Sequence, residues 1–147
     1  MKLDKTYKGL KRLDDGTYVL DGDLISDGNI EIDLDAGLVV KGNIRAGGNI
    51  RVDGNIHAGW NIHVGRCIDA GGNIHAGGYI DAGGYIYADG YIYVGGYIHA
   101  DEYIYAGGYI DAGGNIDAGR YIKCQELRKG EIVRGELITA GGNDGNE

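Results

Sequence analysis

His63, Asp81, His99 and Asp117 follow one another at intervals of 18 residues. Histidine and aspartate side by side can ligate a metal or pass a proton. The same alternation can also be a solvated ladder of favourable cross-strand pairs. A flat exposed ladder offers neither a pocket nor supporting residues behind the ligands, so no metal, cofactor or catalytic residue is expected here. Cys67 and Cys124 lack metal-motif spacing and read as free thiols. No phosphate-binding loop, dinucleotide-binding glycine pattern, nucleophile elbow or zinc spacing occurs, and the chain reads as non-enzymatic.

A second chemistry is aromatic and acidic. Nine of the 12 tyrosines fall between Tyr79 and Tyr109: Tyr79, Tyr85, Tyr87, Tyr91, Tyr93, Tyr97, Tyr103, Tyr105 and Tyr109. Cys67 to Gly119 holds no Lys or Arg, yet it carries Asp69, Asp81, Asp89, Asp101, Glu102, Asp111 and Asp117. Earlier, Asn43, Asn49, Asn55 and Asn61 hold the slot that Tyr later fills, beside Arg45, Arg51 and Arg66. High β propensity and ladder stacking account for some of the Tyr. They do not account for the simultaneous loss of basic residues. Tyr surrounded by acid suits a basic partner protein, with Tyr as a rigid anchor. The expected partner-binding residues are these nine tyrosines with Asp69, Asp81, Asp89, Asp101, Glu102 and Asp111.

The elements that position these groups follow from the period. From Ile44 to Ile122, Ile stands at every sixth position, followed two residues later by Ala or Val and finally Cys124. The next residue is Gly or Asp in each complete unit, Gly47 and Asp53 being the first two. Residues i and i+2 share one strand face, so Ile and Ala/Val point inward together. Gly or Asp then makes the turn, an expectation based on their tolerance of positive φ. A helix of about 3.6 residues per turn would split the Ile column between opposite faces. The pattern predicts an all-β, single-stranded parallel β-helix with about 18 residues per coil, stacked ~4.8 Å apart.

Tyr18–Asp21 and Leu24–Asp27 fit the unit, Leu34–Gly37 insert two residues, and Leu38–Val40 resume the phase. The expected organisation is an N-terminal cap over 1–17, a β-solenoid over 18–124, and an irregular C-terminal cap with a short polar tail over 125–147. Ile138–Asn143 restate the unit. Trp60, Arg66, Glu102 and Arg120 replace the second turn Gly and should project at corners; Trp60 reads either as packing on the cap or as a contact anchor. Cys67 should point outward and Cys124 inward.

The strict hexapeptide resembles the left-handed parallel β-helix of the hexapeptide-repeat family. In the frame Ala46-Gly47-Gly48-Asn49-Ile50-Arg51, the large and small core slots are exchanged relative to the family phrase. Many members of that family are acyltransferases, with a loop leaving the coil and an intersubunit histidine. Gly42 to Lys123 contains no such excursion. The "GNIRA" and "GNIHA" phrases also resemble bactofilins, which polymerise as cytoskeletal filaments. A further likeness is to phage-type β-solenoid inhibitors of host defence.

The chain has 147 residues, with 30 Gly, no Pro and a net charge of −8. Strict spacing argues against a disordered Gly-rich linker, and the absence of a three-residue Gly period excludes collagen. The acidic balance disfavours direct contact with nucleic acid or anionic membrane. With no spanning-length apolar run and no signal-peptide core after Met1, the expected location is cytoplasmic. Three Thr residues cannot form ice-binding Thr ladders. Two functions follow as expectations. One is an acidic, Tyr-faced module that occupies a basic protein surface, as an inhibitor or decoy of a defence or nucleic-acid-binding protein. The other is a self-assembling scaffold, with homo-oligomerisation as the corresponding partnership.

Overall fold

A computed structural model of the chain describes residues 1–139. It is an all-β parallel solenoid of about seven coils. Three-residue strands such as Ile44–Ala46, Ile50–Val52 and Ile56–Ala58 alternate with short corners, three strands to a coil. Each strand pairs in parallel with the equivalent strand one coil away, not with its chain neighbour. The offset is 18 residues through the regular block, as in Leu38 opposite Ile56. It is 20 in the first coil, where Tyr18 lies opposite Leu38 and Leu24 opposite Ile44. The additional residues at Leu34–Gly37 widen that coil without moving any Ile off its column.

The inward positions form one unbroken core. Every Ile from Ile44 to Ile122 is at most 1 % exposed, and the Ala and Val two residues on are buried with it. Each buried Ile is worth about 2 kcal/mol of transfer free energy, but only with a coil on both sides. The terminal coils therefore need covers. At the N-terminus Lys2–Leu3 pair with Ile30–Ile32, and Leu10–Arg12 pair antiparallel with Tyr18–Leu20. Leu3 is fully buried, and Tyr7 and Leu10 pack on the same core.

At the C-terminus Glu126–Thr139 form a narrower coil. Leu127, Ile132 and Leu137 lie opposite Ile110, Ile116 and Ile122, so its inward apolar residues recur every five residues rather than six. The stretch read as irregular is irregular only against the hexapeptide; its own unit is Glu-Leu/Ile-x-x-Gly. Gly130 and Gly135 have φ of 125° and 111°. A Cβ on Gly130 would meet the Ile116 side chain, and one on Gly135 would meet Ala118 and Ile122 at 3.1 Å. These glycines let the last coil close in over the core. Ala140–Asn143 and the polar tail lie outside the described residues.

The expectation about turn glycines needs correction. Positive φ occurs at Gly9, Gly16, Gly22, Gly130 and Gly135, and at none of the corner glycines from Gly28 to Gly119. What requires Gly there is proximity: a Cβ at Gly65 or Gly83 would run into the carbonyl oxygen of Gly47 or Gly65 in the coil below. Where Asp takes this position the coils part slightly. The amide-to-carbonyl distance is 3.1 Å at Asp89 and 3.2 Å at Asp101, against 2.9 Å at Gly65 and Gly71.

Two substitutions test this account by thermal melting followed by circular dichroism. Ile86→Asp buries an unpaired charge in mid-column and should cost several kcal/mol, enough to abolish the cooperative transition. Gly130→Ala combines a strained φ with a clash on Ile116, and should lower the melting temperature while leaving a folded protein.

Candidate functional site

The three strands of a coil define three faces. The first carries Ile25, Arg45, His63, Asp81, His99 and Asp117 in consecutive register. The second carries Glu31, Arg51, Asp69, Tyr87, Tyr105 and Lys123. The third carries Val39, His57, His75, Tyr93 and Asp111. Beside each of these columns runs another, formed by the residue before each Ile.

Tyr fills that slot from Tyr79 to Tyr109 and again at Tyr121, with Asn115 between, and its rings stack. Tyr79 and Tyr97 lie 4.8 Å apart between centroids and 3° from parallel on the first face. The second face has two ladders. Tyr85, Tyr103 and Tyr121 stack at 4.8 and 5.1 Å, and Tyr87 and Tyr105 at 4.7 Å. On the third face Tyr91 stacks on Tyr109 at 4.8 Å, and Arg128 of the last coil lies 3.9 Å from the Tyr109 centroid. Each stacked ring turns at least one face to a neighbouring ring, whereas Tyr93 meets the His75 ring edge-on. A partner meets chiefly ring edges and hydroxyls. Accordingly most of these Tyr are half-buried, with Tyr93 and Tyr97 the more exposed.

The predicted binding residues are therefore a belt around coils three to six, not one face. Tyr85, Tyr87, Tyr103 and Tyr105 come together on the second face, beside Asp69. Tyr91, Tyr93, Tyr109 and Asp111 share the third, and Tyr79, Tyr97 and Asp81 the first. Asp89 sits on the corner between second and third faces, and Asp101 and Glu102 on the corner between first and second.

Salt bridges leave this belt largely unpaired. At the N-terminal end Lys2 pairs with Asp33, Lys5 with Asp35, and Lys11 and Lys41 with Asp21. At the C-terminal end Arg134 pairs with Asp117 and Arg128 with Glu126. Among the described residues no Lys or Arg salt bridge reaches Asp69, Asp81, Asp89, Asp101, Glu102 or Asp111. Asp89 instead holds the Tyr87 hydroxyl, whose pKa is pushed up to about 12 by that hydrogen bond and by the nearby negative charge.

The His/Asp column is a set of pairs. His63 Nδ1 lies 3.6 Å from Asp81, and His99 bridges Asp101 at 2.8 Å and Asp117 at 3.3 Å. Partial burial opposes charging His99, but the hydrogen bonds to Asp101 and Asp117 outweigh it and raise its pKa. His57 and His75 stack at 3.9 Å on the third face. Burial lowers both their pKa values, and at His75 the neighbouring His57 adds to this. Among the described residues no three His, Cys, Asp or Glu side chains are grouped to hold a metal. The grooves on the first face are shallow, one lined by Asp81, Tyr97, His99, Asn115 and Asp117, the other by Asn43, Arg45, Asn61 and His63.

One structural role escaped the sequence reading. In the Asn coils, the side-chain oxygen accepts from the backbone N–H of the residue 18 further on: Asn43 from Asn61 at 3.0 Å, Asn55 from Asn73 at 2.7 Å, Asn61 from Tyr79 at 2.9 Å. Cys67 occupies the same slot. It is half-buried, and its sulfur takes the N–H of Tyr85 at 3.4 Å. The signal was present as Asn at one fixed phase. Where Tyr replaces Asn, this amide bond gives way to ring stacking. Cys124 is buried as expected, with its pKa pushed up to about 11 by burial, which leaves an unreactive thiol. Trp60 does not pack on the cap: it projects from a corner, 63 % exposed.

No family model matches this chain, and neither the curated proteins nor the solved structures contain a match to it. No helix among the described residues is long and apolar enough to cross a membrane.

An NMR titration of the imidazoles tests the electrostatics. His99 should titrate above the ordinary value of about 6.5, and His57 and His75 below it. The His99 contribution to stability is complete below the ordinary value and is lost as pH rises through its raised folded value. The stacked His57–His75 pair contributes oppositely: its stabilisation is present above the ordinary value and is lost as pH falls through the lowered folded values.

Proposed function

We propose that this protein is a non-enzymatic binding module whose acidic, Tyr-rich belt occupies a basic surface on a partner protein. The observation that carries this reading is the belt of carboxylates without Lys or Arg partners, set beside stacked tyrosines. Stacking orders the side chains before any encounter, so binding loses little further rotamer freedom. Carboxylates without a paired cation retain their charge for a partner's Lys and Arg, which steers association and fixes register. The second face, with two ladders side by side, is the centre of the proposed contact. Because stacked rings share faces with one another, stacking onto nucleobases is restricted, and the negative field opposes it. A phage-type inhibitor or decoy of a defence or nucleic-acid-binding protein, acting in the cytoplasm, fits this chemistry.

A bactofilin-like scaffold is the second reading, favoured by the regular stacking of coils. The covered N-terminal core and the narrowed last coil count against end-to-end growth. The hexapeptide period and three-sided coil support a left-handed hexapeptide-type helix. Acyl transfer ranks third, since no loop leaves the regular coils.

The test replaces Tyr85, Tyr87, Tyr103 and Tyr105 with Ser together. Wild type should retain basic proteins from lysate in a salt-sensitive manner, and the variant should lose them while melting cooperatively. Equal retention by the variant would reduce the Tyr ladders to scaffold. Light scattering addresses the second reading: a species that lengthens with concentration supports the filament.

A further inference from the structure

The first face carries a pattern that the Tyr belt does not explain. Its charged column alternates as Arg45, His63, Asp81, His99 and Asp117 through coils two to six. The column beside it reads Asn43, Asn61, Tyr79, Tyr97 and Asn115, all uncharged. The strands of this face stay in register from coil to coil, so the two columns form a regular ladder that can meet another such ladder.

We propose that the first face is a homodimer interface, in which two copies of this chain pack antiparallel about a two-fold axis between the fourth and fifth coils. In this register Asp81 lies opposite His99 of the second copy, and His63 opposite Asp117. Two-fold symmetry repeats each pair, so the interface holds four His–Asp pairings. In the neighbouring column Tyr79 meets Tyr97, and Asn61 meets Asn115. Trp60, exposed on the corner that leads into this face, comes over the glycine corner at Gly114, where no side chain obstructs it.

Other arrangements fit less well. A shift by one coil sets Asp81 against Asp81 and His63 against His99. Parallel packing sets each charged residue against an Asn or Tyr and leaves the alternation unused. The chosen register has two unfavourable meetings: Arg66 with Arg120 across a corner, which Glu102 one coil from Arg120 offsets, and Arg45 with Arg134 of the last coil, whose charge Asp117 of its own chain offsets. The face buries about 450 Å² per copy, taken as six coils at ~4.8 Å by a strand and its corners. That is below the ~800 Å² per partner of a standard interface, so weak self-association is expected. The second face stays uncovered, whereas Tyr79, Tyr97 and Asp81 of the belt are covered, so the dimer leaves the proposed centre of partner contact free.

Sedimentation velocity on the full chain, up to about 500 µM, should show a monomer–dimer equilibrium that weakens in high salt. His63→Glu places Glu opposite Asp117 of the second copy, and should raise the dissociation constant roughly tenfold or more; it also sets Glu beside Asp81 of its own chain, so a small drop in melting temperature accompanies a still cooperative transition. Trp60→Ala should weaken the dimer independently. A spin label on Ile25→Cys, with Cys67→Ser, reads the register. Ile25 lies outside the overlap, and antiparallel copies put the two labels about 35 Å apart, seven coil spacings along the axis. A monomer throughout, a dimer indifferent to His63→Glu, or labels within about 20 Å would overturn the proposal.

Discussion

No coil of this protein can bury its own isoleucines. Each Ile is covered by the Ile above and the Ile below, and the whole structure depends on that column being continuous. The hexapeptide follows directly: three units must return the chain to its starting angle so that Ile falls on Ile. The insertion at Leu34–Gly37 is tolerated because it falls on a corner, where it enlarges the first coil without shifting a core residue. The same dependence makes the ends weak points. Leu3 with the antiparallel Leu10–Arg12 covers one end, and a tighter five-residue turn closes over the core near the other.

Close stacking then governs the outside. With backbones this near, a side chain at the hexapeptide corners collides with the carbonyl below, so Gly dominates there for lack of space rather than for an unusual dihedral. Outward residues 18 apart are brought into contact, so like side chains become ladders. Asn solves the spacing by hydrogen bonding to the next coil's backbone, and Tyr solves it by ring stacking. The exchange of one solution for the other near Tyr79 changes the surface from amide-lined to phenol-lined without altering the core.

Charge follows the same axial order. Several basic residues near both ends are engaged in ion pairs, whereas among the described residues no Lys or Arg salt bridge reaches the carboxylates of the middle coils. A polarised rod results, with the belt proposed for a cationic partner and a first face whose His/Asp column is proposed to meet a second copy. The two surfaces share Tyr79, Tyr97 and Asp81 on the first face, and the second face belongs to the belt alone.

The solenoid, its coil length and its buried set were legible in the sequence, because a period of six with Ile and Ala two apart satisfies only one arrangement of strands. So were the columns, once 18 residues were assigned to a coil. The sequence alone also showed where Tyr replaces Asn and where Lys and Arg stop. Tertiary structure decided the rest. It distributed the predicted Tyr and acids over three faces, because consecutive hexapeptides turn a corner each time. It turned the Tyr rings against one another, leaving edges and hydroxyls outward. It revealed the Asn-to-backbone bonds and the five-residue closing coil, whose partners are remote in sequence and adjacent only after stacking. Local spacing specifies which side of a strand a residue occupies; the contact a side chain makes depends on the coil laid down 18 residues away.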